Sequence, residues 1–309
     1  MAKTRALRRR IRSIESTRQV TRTMEMVSTS KLKRAQDRVV AARPYATALA
    51  ETIAELLSPE LAERFPLLRR PAPPAKGGPT RAAVLLVTSN RGLAGAFNAN
   101  LIRAARERVA ELEAAGYGVD LLVVGKKAIS YFKFVRRPLA LARLDIGDRP
   151  TAVHAAELAA PLIARFEAGE LASLDVVYAH FKSALATPPV VERVLPVEAR
   201  RAVAQTPSGK AAPPLPEGAG ARTPNFILRP GPVELLEALL PLYVRNLVFR
   251  ALVETAASEH GARRTAMKNA TDNAGEILDI LRRTYNRARQ GQITQELAEI
   301  VGGAEALKG

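Results

Sequence analysis

The chain has 309 residues, a net charge of +17 and no cysteine. The absence of cysteine excludes disulfide bridges, thiolate metal sites, thiol nucleophiles and dithiol redox switches. No apolar run approaches the ~18 residues that a membrane-spanning helix requires, while a hydrophobic content of 47% is enough to bury a core.

The first segment, residues 4–57, is predicted to form one long helix. It contains no glycine, Pro44 is its only proline, and strong helix formers dominate it. Leu7, Ile11 and Ile14 recur at the spacing of one helical face. Small polar residues follow at Thr17, Thr21, Ser28 and Thr29. A seam this polar favours a surface built for close approach rather than for tight anchoring.

Basic residues are concentrated near the start of the chain. Residues 1–43 carry 13 Lys/Arg and 3 Asp/Glu, a net charge of +10, whereas residues 241–309 carry 10 basic and 8 acidic groups, a net charge of +2. This asymmetry indicates an acidic partner for the first helix: nucleic acid, anionic lipid or an acidic protein surface. Charge alone does not distinguish these three classes of partner, although no aromatic residue precedes Tyr45 to stack on bases.

The middle of the chain is predicted to be an α/β domain, residues 81–205. A stretch rich in proline and glycine, residues 66–80, predicts a linker before it, and a similar stretch, residues 206–224, predicts a flexible loop after it. Strands are predicted at 82–87, 119–124 and 174–179, and helices at 97–115, around 129–134 and at 151–167. Strands that alternate with helices indicate a parallel sheet.

From Pro232 onwards the pattern is helical again. Pro241 is predicted either to kink this helix or to begin a new one, and no proline follows it. Three glycines, each of which weakens a helix by about 1 kcal/mol relative to alanine, lie at Gly261, Gly275 and Gly291. Two long terminal helices, within residues 1–65 and 225–309, predict an antiparallel pair from whose side the central domain projects.

The turn at residues 88–98 is the strongest candidate for a nucleotide site. It follows a strand and leads into a helix, where phosphates often dock. However, no Lys-Ser/Thr pair follows, and Gly92 and Gly95 lack the third glycine of a dinucleotide fingerprint. A structural turn is therefore favoured, with a dinucleotide-binding enzyme as the alternative. Hydrolase motifs are missing as well, so no catalytic, cofactor-binding or metal-binding residue is predicted.

Three further segments carry a family resemblance. The first covers Ile11–Lys31 and ends with Arg43-Pro44-Tyr45-Ala46, the second is Asn90–Asn98, and the third lies within Ala257–Ala304 and includes AMKNATDNA (266–274), YNRARQ (285–290) and ITQEL (293–297). Together they resemble the gamma subunit of rotary F-type ATP synthases. The chain departs from that family at Asn90, where Asp is common, at Ala94, where Cys is common, and at Arg229, near which Glu is common.

The resemblance implies a fold with two parts: long N- and C-terminal helices that form an antiparallel coiled coil, and a central Rossmann-like α/β domain. It implies a non-catalytic rotor shaft without a cofactor. Such a shaft turns inside the hexameric ring of alpha and beta subunits, driven by proton flow through the membrane ring. It stands on the c-ring beside the epsilon subunit, which implies a peripheral location at the cytoplasmic face of the bacterial inner membrane, without insertion.

The family also implies site residues and a partner for the basic segment. Arg289 and Gln290 match the pair that engages the catch loop of the beta subunit, and Met24 matches a position close to that contact on the opposite helix. Arg43 and Tyr45 match positions where the first helix approaches the c-ring and epsilon. Because the beta subunits present an acidic loop to the shaft, they would supply the acidic partner, and nucleic acid is not expected.

Overall fold

Two long helices flank a five-stranded α/β domain. The computed structural model describes residues 2–56, 61, 64–68, 81–197 and 231–306. The predicted loop 206–224 and residues 69–80 of the predicted linker lie outside the described residues. In chain order the elements are α1 (Ala2–Leu56), a 3-10 turn (Pro66–Leu68), β1 (Arg81–Val87), α2 (Phe97–Ala114), β2 (Gly118–Val124), α3 (Lys126–Phe134), β3 (Leu141–Arg143), α4 (Ala152–Glu167), β4 (Leu171–Ala179), β5 (Pro189–Leu195) and α5 (Pro232–Ala306).

The strands form one sheet in the order β3-β2-β1-β4-β5. The first four are mutually parallel, as predicted, whereas β5 pairs antiparallel with β4. Neither β3 nor β5 is predicted from the sequence. β3 has only three residues, and β5 is an edge strand that begins at Pro189 and carries Glu192 and Arg193. Neither strand therefore shows the apolar run that marks a buried strand.

The sheet has a hydrophobic core on each face, and β1 contributes to both. Val84 and Leu86 pack in the core formed with α2 and α3, whereas Leu85 and Val87 pack in the core formed with α4 and the beginning of α5. Successive side chains of a strand point to opposite faces. A central strand that is covered on both faces therefore reads as the continuous apolar run seen after Arg81.

The C-terminal helix α5 is unbroken over 75 residues, a length of about 110 Å. Pro241 lies within it, so no new helix begins there. Near its start, Leu236, Leu240 and Val244 are buried in the domain core. α5 is consequently part of the domain at its beginning and part of the coiled coil at its end.

Beyond the sheet, α1 and α5 form the predicted antiparallel pair. Three side-chain contacts fix its register: Thr21–Thr271 at 2.8 Å, Glu15–Arg282 at 2.6 Å and Thr4–Gln292 at 3.2 Å. On α5 the buried seam consists of Met267, Thr271, Ala274, Leu278 and Leu281. Of the small polar residues predicted in the seam of α1, Ser28 is buried and Thr21 is half-buried against Thr271, whereas Thr17 and Thr29 are exposed.

Gly125, between β2 and α3, occupies a position that only glycine fits. Its φ is +104°, and a Cβ there would lie 2.3 Å from the carbonyl oxygen of Thr88.

We expect Gly125→Ala to lower the free energy of unfolding by about 3 kcal/mol, measured by urea denaturation, because backbone strain adds to the clash. Gly169, at φ +76° with no atom within 4 Å of such a Cβ, is the matched control. Gly169→Ala should cost about 1 kcal/mol, and equal losses would contradict the clash.

Candidate functional site

The carboxyl edge of the sheet is covered by α5. From β1 the chain first adds β2 and β3 on one side of the sheet and then β4 and β5 on the other, so the strand order reverses between β1 and β4. Rossmann folds bind dinucleotides in the crevice at such a point. Here Ser258 of α5 bonds to Ala179 at the end of β4, so α5 lies across this point. A crevice beside it is lined by residues 88–91 after β1, residues 145–149 after β3, and Thr255 and Glu259 of α5. A helix of the same chain therefore lies where such folds bind a dinucleotide.

The turn after β1 uses its polar side chains to hold neighbouring strands together. The side-chain oxygen of Asn98 accepts hydrogen bonds from the backbone nitrogen and the hydroxyl of Ser89, at 3.1 and 3.0 Å. Asn90 donates to the Leu144 carbonyl at 3.0 Å and accepts from the Lys126 nitrogen at 2.9 Å. An aspartate carboxylate at position 90 could not donate the hydrogen bond to the Leu144 carbonyl.

Glu254 joins α5 to the chain just after β4. Its carboxylate is buried, lies 2.5 Å from Nδ1 of His180, and accepts hydrogen bonds from the Phe181 nitrogen at 3.2 Å and from Nε of Arg250 at 2.8 Å. Burial alone would raise the pKa of Glu254. The bonds to His180 and Arg250 outweigh burial, so its pKa is lowered. The carboxylate is therefore charged and fully partnered.

Two hydroxyl groups of α5 extend this junction. Ser258 Oγ donates to the carbonyl oxygen of Ala179 at 3.1 Å, and Thr255 Oγ1 accepts from the nitrogen of the same residue at 3.3 Å. One turn further on, a Cβ at Gly261 would lie 3.1 Å from the Ala184 carbonyl oxygen. This glycine thus permits the close approach of the chain after β4, and Ser258 has a structural partner rather than a catalytic one.

A second buried cluster fixes α5 to the turn after β1. Arg263 forms an ion pair with Glu259, and its Nε donates to the Gly92 carbonyl oxygen at 3.2 Å. Burial raises the pKa of Glu259 although Arg263 opposes the shift. Burial also lowers the pKa of His260 to about 4, so this histidine is neutral at neutral pH. The backbone carbonyl of Gly92 therefore serves as an anchor for α5.

The predicted contact residues of the shaft are separated along the coil. Arg289 and Gln290 are exposed on α5, and Met24 is half-buried on α1. Thr21 contacts Thr271, which lies 18 residues, or about 27 Å, before Arg289 on the helix. The structure therefore does not bring Met24 close to Arg289 and Gln290, because in an antiparallel pair higher numbers on α1 meet lower numbers on α5.

Arg43 and Tyr45 lie on the part of α1 beside the α/β domain, and both side chains are exposed. Arg43 also lines a cavity of about 340 Å³ between α1 and α5, together with Tyr243 and Asn246. These two residues are thus at the opposite end of the coil from Arg289.

Exposed arginines cover a broad arc of α1 rather than a single narrow stripe. Arg8, Arg9 and Arg10 are consecutive, so their side chains leave the helix about 100° apart, and all three are exposed. Further exposed basic residues on this helix are Arg5, Arg12, Arg18 and Arg22. A duplex groove would meet one side of such a helix, whereas a partner that encloses it would meet every side.

The far end of α5 carries an apolar surface that the sequence analysis does not predict. Ile293, Leu297, Ile300 and Val301 are 44–67% exposed and recur at the i, i+4, i+7, i+8 spacing of one helical face. The spacing was visible in the sequence, but whether this face packs against α1 depends on the register of the two helices. Contiguous exposed apolar patches mark protein–protein contacts.

Within the described ranges, no helix is both long and apolar enough to cross a membrane. Across the same residues, no three histidine, aspartate or glutamate side chains converge as metal ligands.

Comparison with known proteins gives one consistent result. A family model described as ATP synthase matches residues 3–307. The ATP synthase gamma chain of Gemmatimonas aurantiaca is 57% identical over 309 residues, and that of Moorella thermoacetica is 43% identical over 310 residues, with both chains of each pair covered completely.

Solved structures show the same fold. The chain is similar to one in the rotor of the Euglena gracilis mitochondrial ATP synthase, with a TM-score of 0.61, 19% identity and coverage of 94% of this chain and 99% of the other. A chain in the central stalk and c-ring of the Tetrahymena thermophila enzyme gives a TM-score of 0.55, with 21% identity and coverage of 81% and 99%. With the full-length relatives, these findings establish that the chain belongs to the ATP synthase gamma-chain family, the non-catalytic central-stalk subunit of that enzyme.

Proposed function

We propose that this chain turns as the rotor shaft inside a hexameric ring of alpha and beta subunits, at the cytoplasmic face of a bacterial inner membrane. The c-ring and the epsilon subunit would hold its base, and proton flow through the membrane ring would turn it. The observation that carries the proposal is α5: one unbroken helix that begins in the domain core and extends with α1 beyond the sheet. Torque applied to the domain thus has a continuous path into the coil.

The surface of the coil favours a partner that encloses it. Exposed arginines cover a broad arc of α1, and exposed apolar residues lie on the far end of α5. An acidic loop of the partner would contact the arginines of α1, and an apolar part of the ring would contact the far end of α5. A ring of subunits that binds each rotational position differently would change the conformations of its members as the shaft turns.

We further propose the site residues. Arg289 and Gln290 would contact the catch loop of a beta subunit, and Arg43 and Tyr45 would contact the c-ring and epsilon. Met24 would contact the ring at a separate level, about 27 Å nearer the domain. We also propose that residues 1–65 and 225–309 work as the shaft and residues 81–205 as the domain that receives torque, although Leu236 and Leu240 of α5 pack in the core of that domain.

The test is rotation in the assembled complex. The chain has no cysteine, so Phe134→Cys, at a side chain that is 85% exposed at the end of α3, provides one attachment point. We expect the chain to copurify with the alpha, beta and epsilon subunits of its own enzyme. With the ring immobilised, a bead on residue 134 should rotate in one direction when ATP is added. Failure to copurify, or an ATP-hydrolysing complex in which the bead stays still, would contradict the rotor proposal.

A further inference from the structure

Asp148 lies in the loop after β3 and faces both long helices. Its carboxylate is 2.5 Å from Nζ of Lys31 on α1 and 3.9 Å from Nε2 of His260 on α5. The side chains of Lys31 and Asp148 are 37% and 31% exposed, so this ion pair is neither fully solvated nor fully buried. The loop thereby connects the domain to the two helices at one level.

The charges around Asp148 leave Lys31 as its main partner. Burial would raise the pKa of Asp148, but the bond to Lys31 and the nearby cations lower it. His260 is neutral at neutral pH because its pKa is about 4, and the guanidinium of Arg91 adds a weaker, more distant attraction. The Lys31–Asp148 contact is therefore a bond between two charged groups.

The two helices are attached to the domain in different ways. α5 is bound through the buried groups of Glu254, Ser258 and Arg263. α1 reaches the domain through the Lys31 pair, through a cluster in which Leu32 and Val39 pack with Phe181, and through Ile53 near its end, which is buried in the domain core. Apolar contacts are non-directional. A short ion pair also fixes the distance between two particular groups.

We propose that the Lys31–Asp148 pair is a torsional tie that passes torque from the α/β domain into α1. The proposal rests on the rotor function, since it assigns the pair a task in rotation. When the domain is driven around the shaft axis, α5 follows through its buried bonds. Without the tie, α1 follows only through its apolar packing and through its side-chain contacts with α5, and we expect less of each step to reach it.

The experiment uses the complete enzyme in inverted membrane vesicles, with Asp148→Asn and Lys31→Met as single variants. We expect ATP hydrolysis to stay within about twofold of wild type and protons pumped per ATP to fall about threefold to tenfold, the range seen for residues that couple distant sites. The melting temperature should shift by no more than about 3 °C, because a half-exposed pair contributes little to stability.

Two further variants separate the tie from a general change in charge. The charge exchange Lys31→Glu with Asp148→Lys should restore most of the pumping. Lys33→Met is the matched control, since Lys33 pairs with Asp37 of the same helix in an exposed position, and it should pump as wild type does. The tie would be overturned if the single variants pumped as many protons per ATP as wild type. It would also be overturned if the charge exchange pumped no better than the single variants. A wild-type complex without rotation would instead overturn the rotor function itself.

Discussion

Replacing Glu254 by alanine is expected to lower the free energy of unfolding by about 3–5 kcal/mol, the range found when one partner of a buried ion pair is removed. The substitution leaves the Phe181 nitrogen without its acceptor and places Arg250 and His180 beside a cavity. Because these groups join α5 to the sheet, we also expect the variant to assemble poorly into the complex. Urea denaturation of the isolated chain measures the first effect, and copurification measures the second.

Glu276→Ala is the control for this prediction, since Glu276 is an exposed glutamate of the same helix and its loss should change stability by less than about 0.5 kcal/mol. Glu254→Gln retains an acceptor for Phe181 but loses the charge, so its effect should lie between the two. Similar stability for all three variants would show that Glu254 does not anchor the helix.

The effect of Glu254 has a predictable dependence on pH. Its pKa in the folded protein is lowered from the ordinary value of 4.5, so the unfolded chain takes up a proton more readily. The stabilisation is therefore complete well above pH 4.5 and is lost as the pH falls through the folded pKa. The difference in stability between wild type and Glu254→Ala should accordingly narrow in acid.

Much of the fold was predictable because its central elements have strong local signals. β1 and β2 are mostly apolar, and the two terminal helices are long and contain few helix breakers. The edge strands β3 and β5 were missed because each combines polar and apolar side chains. Gly261 illustrates the limit of local reasoning: it reads as a weak point of a helix, but a methyl group there would press against the Ala184 carbonyl.

The site was less predictable than the fold. The charges on α1 indicated an acidic partner, yet nothing in the sequence showed that Glu254 and Arg263 bind α5 to the sheet, since their partners lie about 70 and 170 positions away. Met24 was placed near Arg289 by resemblance to the family. The register of an antiparallel pair, which decides that distance, is set by contacts such as Thr21–Thr271 that a single sequence does not reveal.

The double variant Arg289→Ala with Gln290→Ala is expected to leave the complex intact and to slow ATP hydrolysis and synthesis together by about tenfold or more. Both side chains are exposed on the far part of α5, so their removal costs the isolated chain little stability. Inside a ring, a charge-assisted hydrogen bond from them to a loop of the beta subunit is worth about 1.5–3 kcal/mol. That energy corresponds to a change in rate of about tenfold to a hundredfold.

The matched control is Arg283→Ala with Asn286→Ala, which removes one positive charge and one amide from the same helix. These residues are also exposed, and they are preferable to Arg282, which is paired with Glu15. Because the contact must form and break as the shaft turns, its loss should appear in the rate of rotation, with subunit content unchanged. The control should turn at the wild-type rate. If both double variants turn at the wild-type rate, or both fail to assemble, Arg289 and Gln290 are not the contact with the beta subunit, whatever the standing of the rotor function.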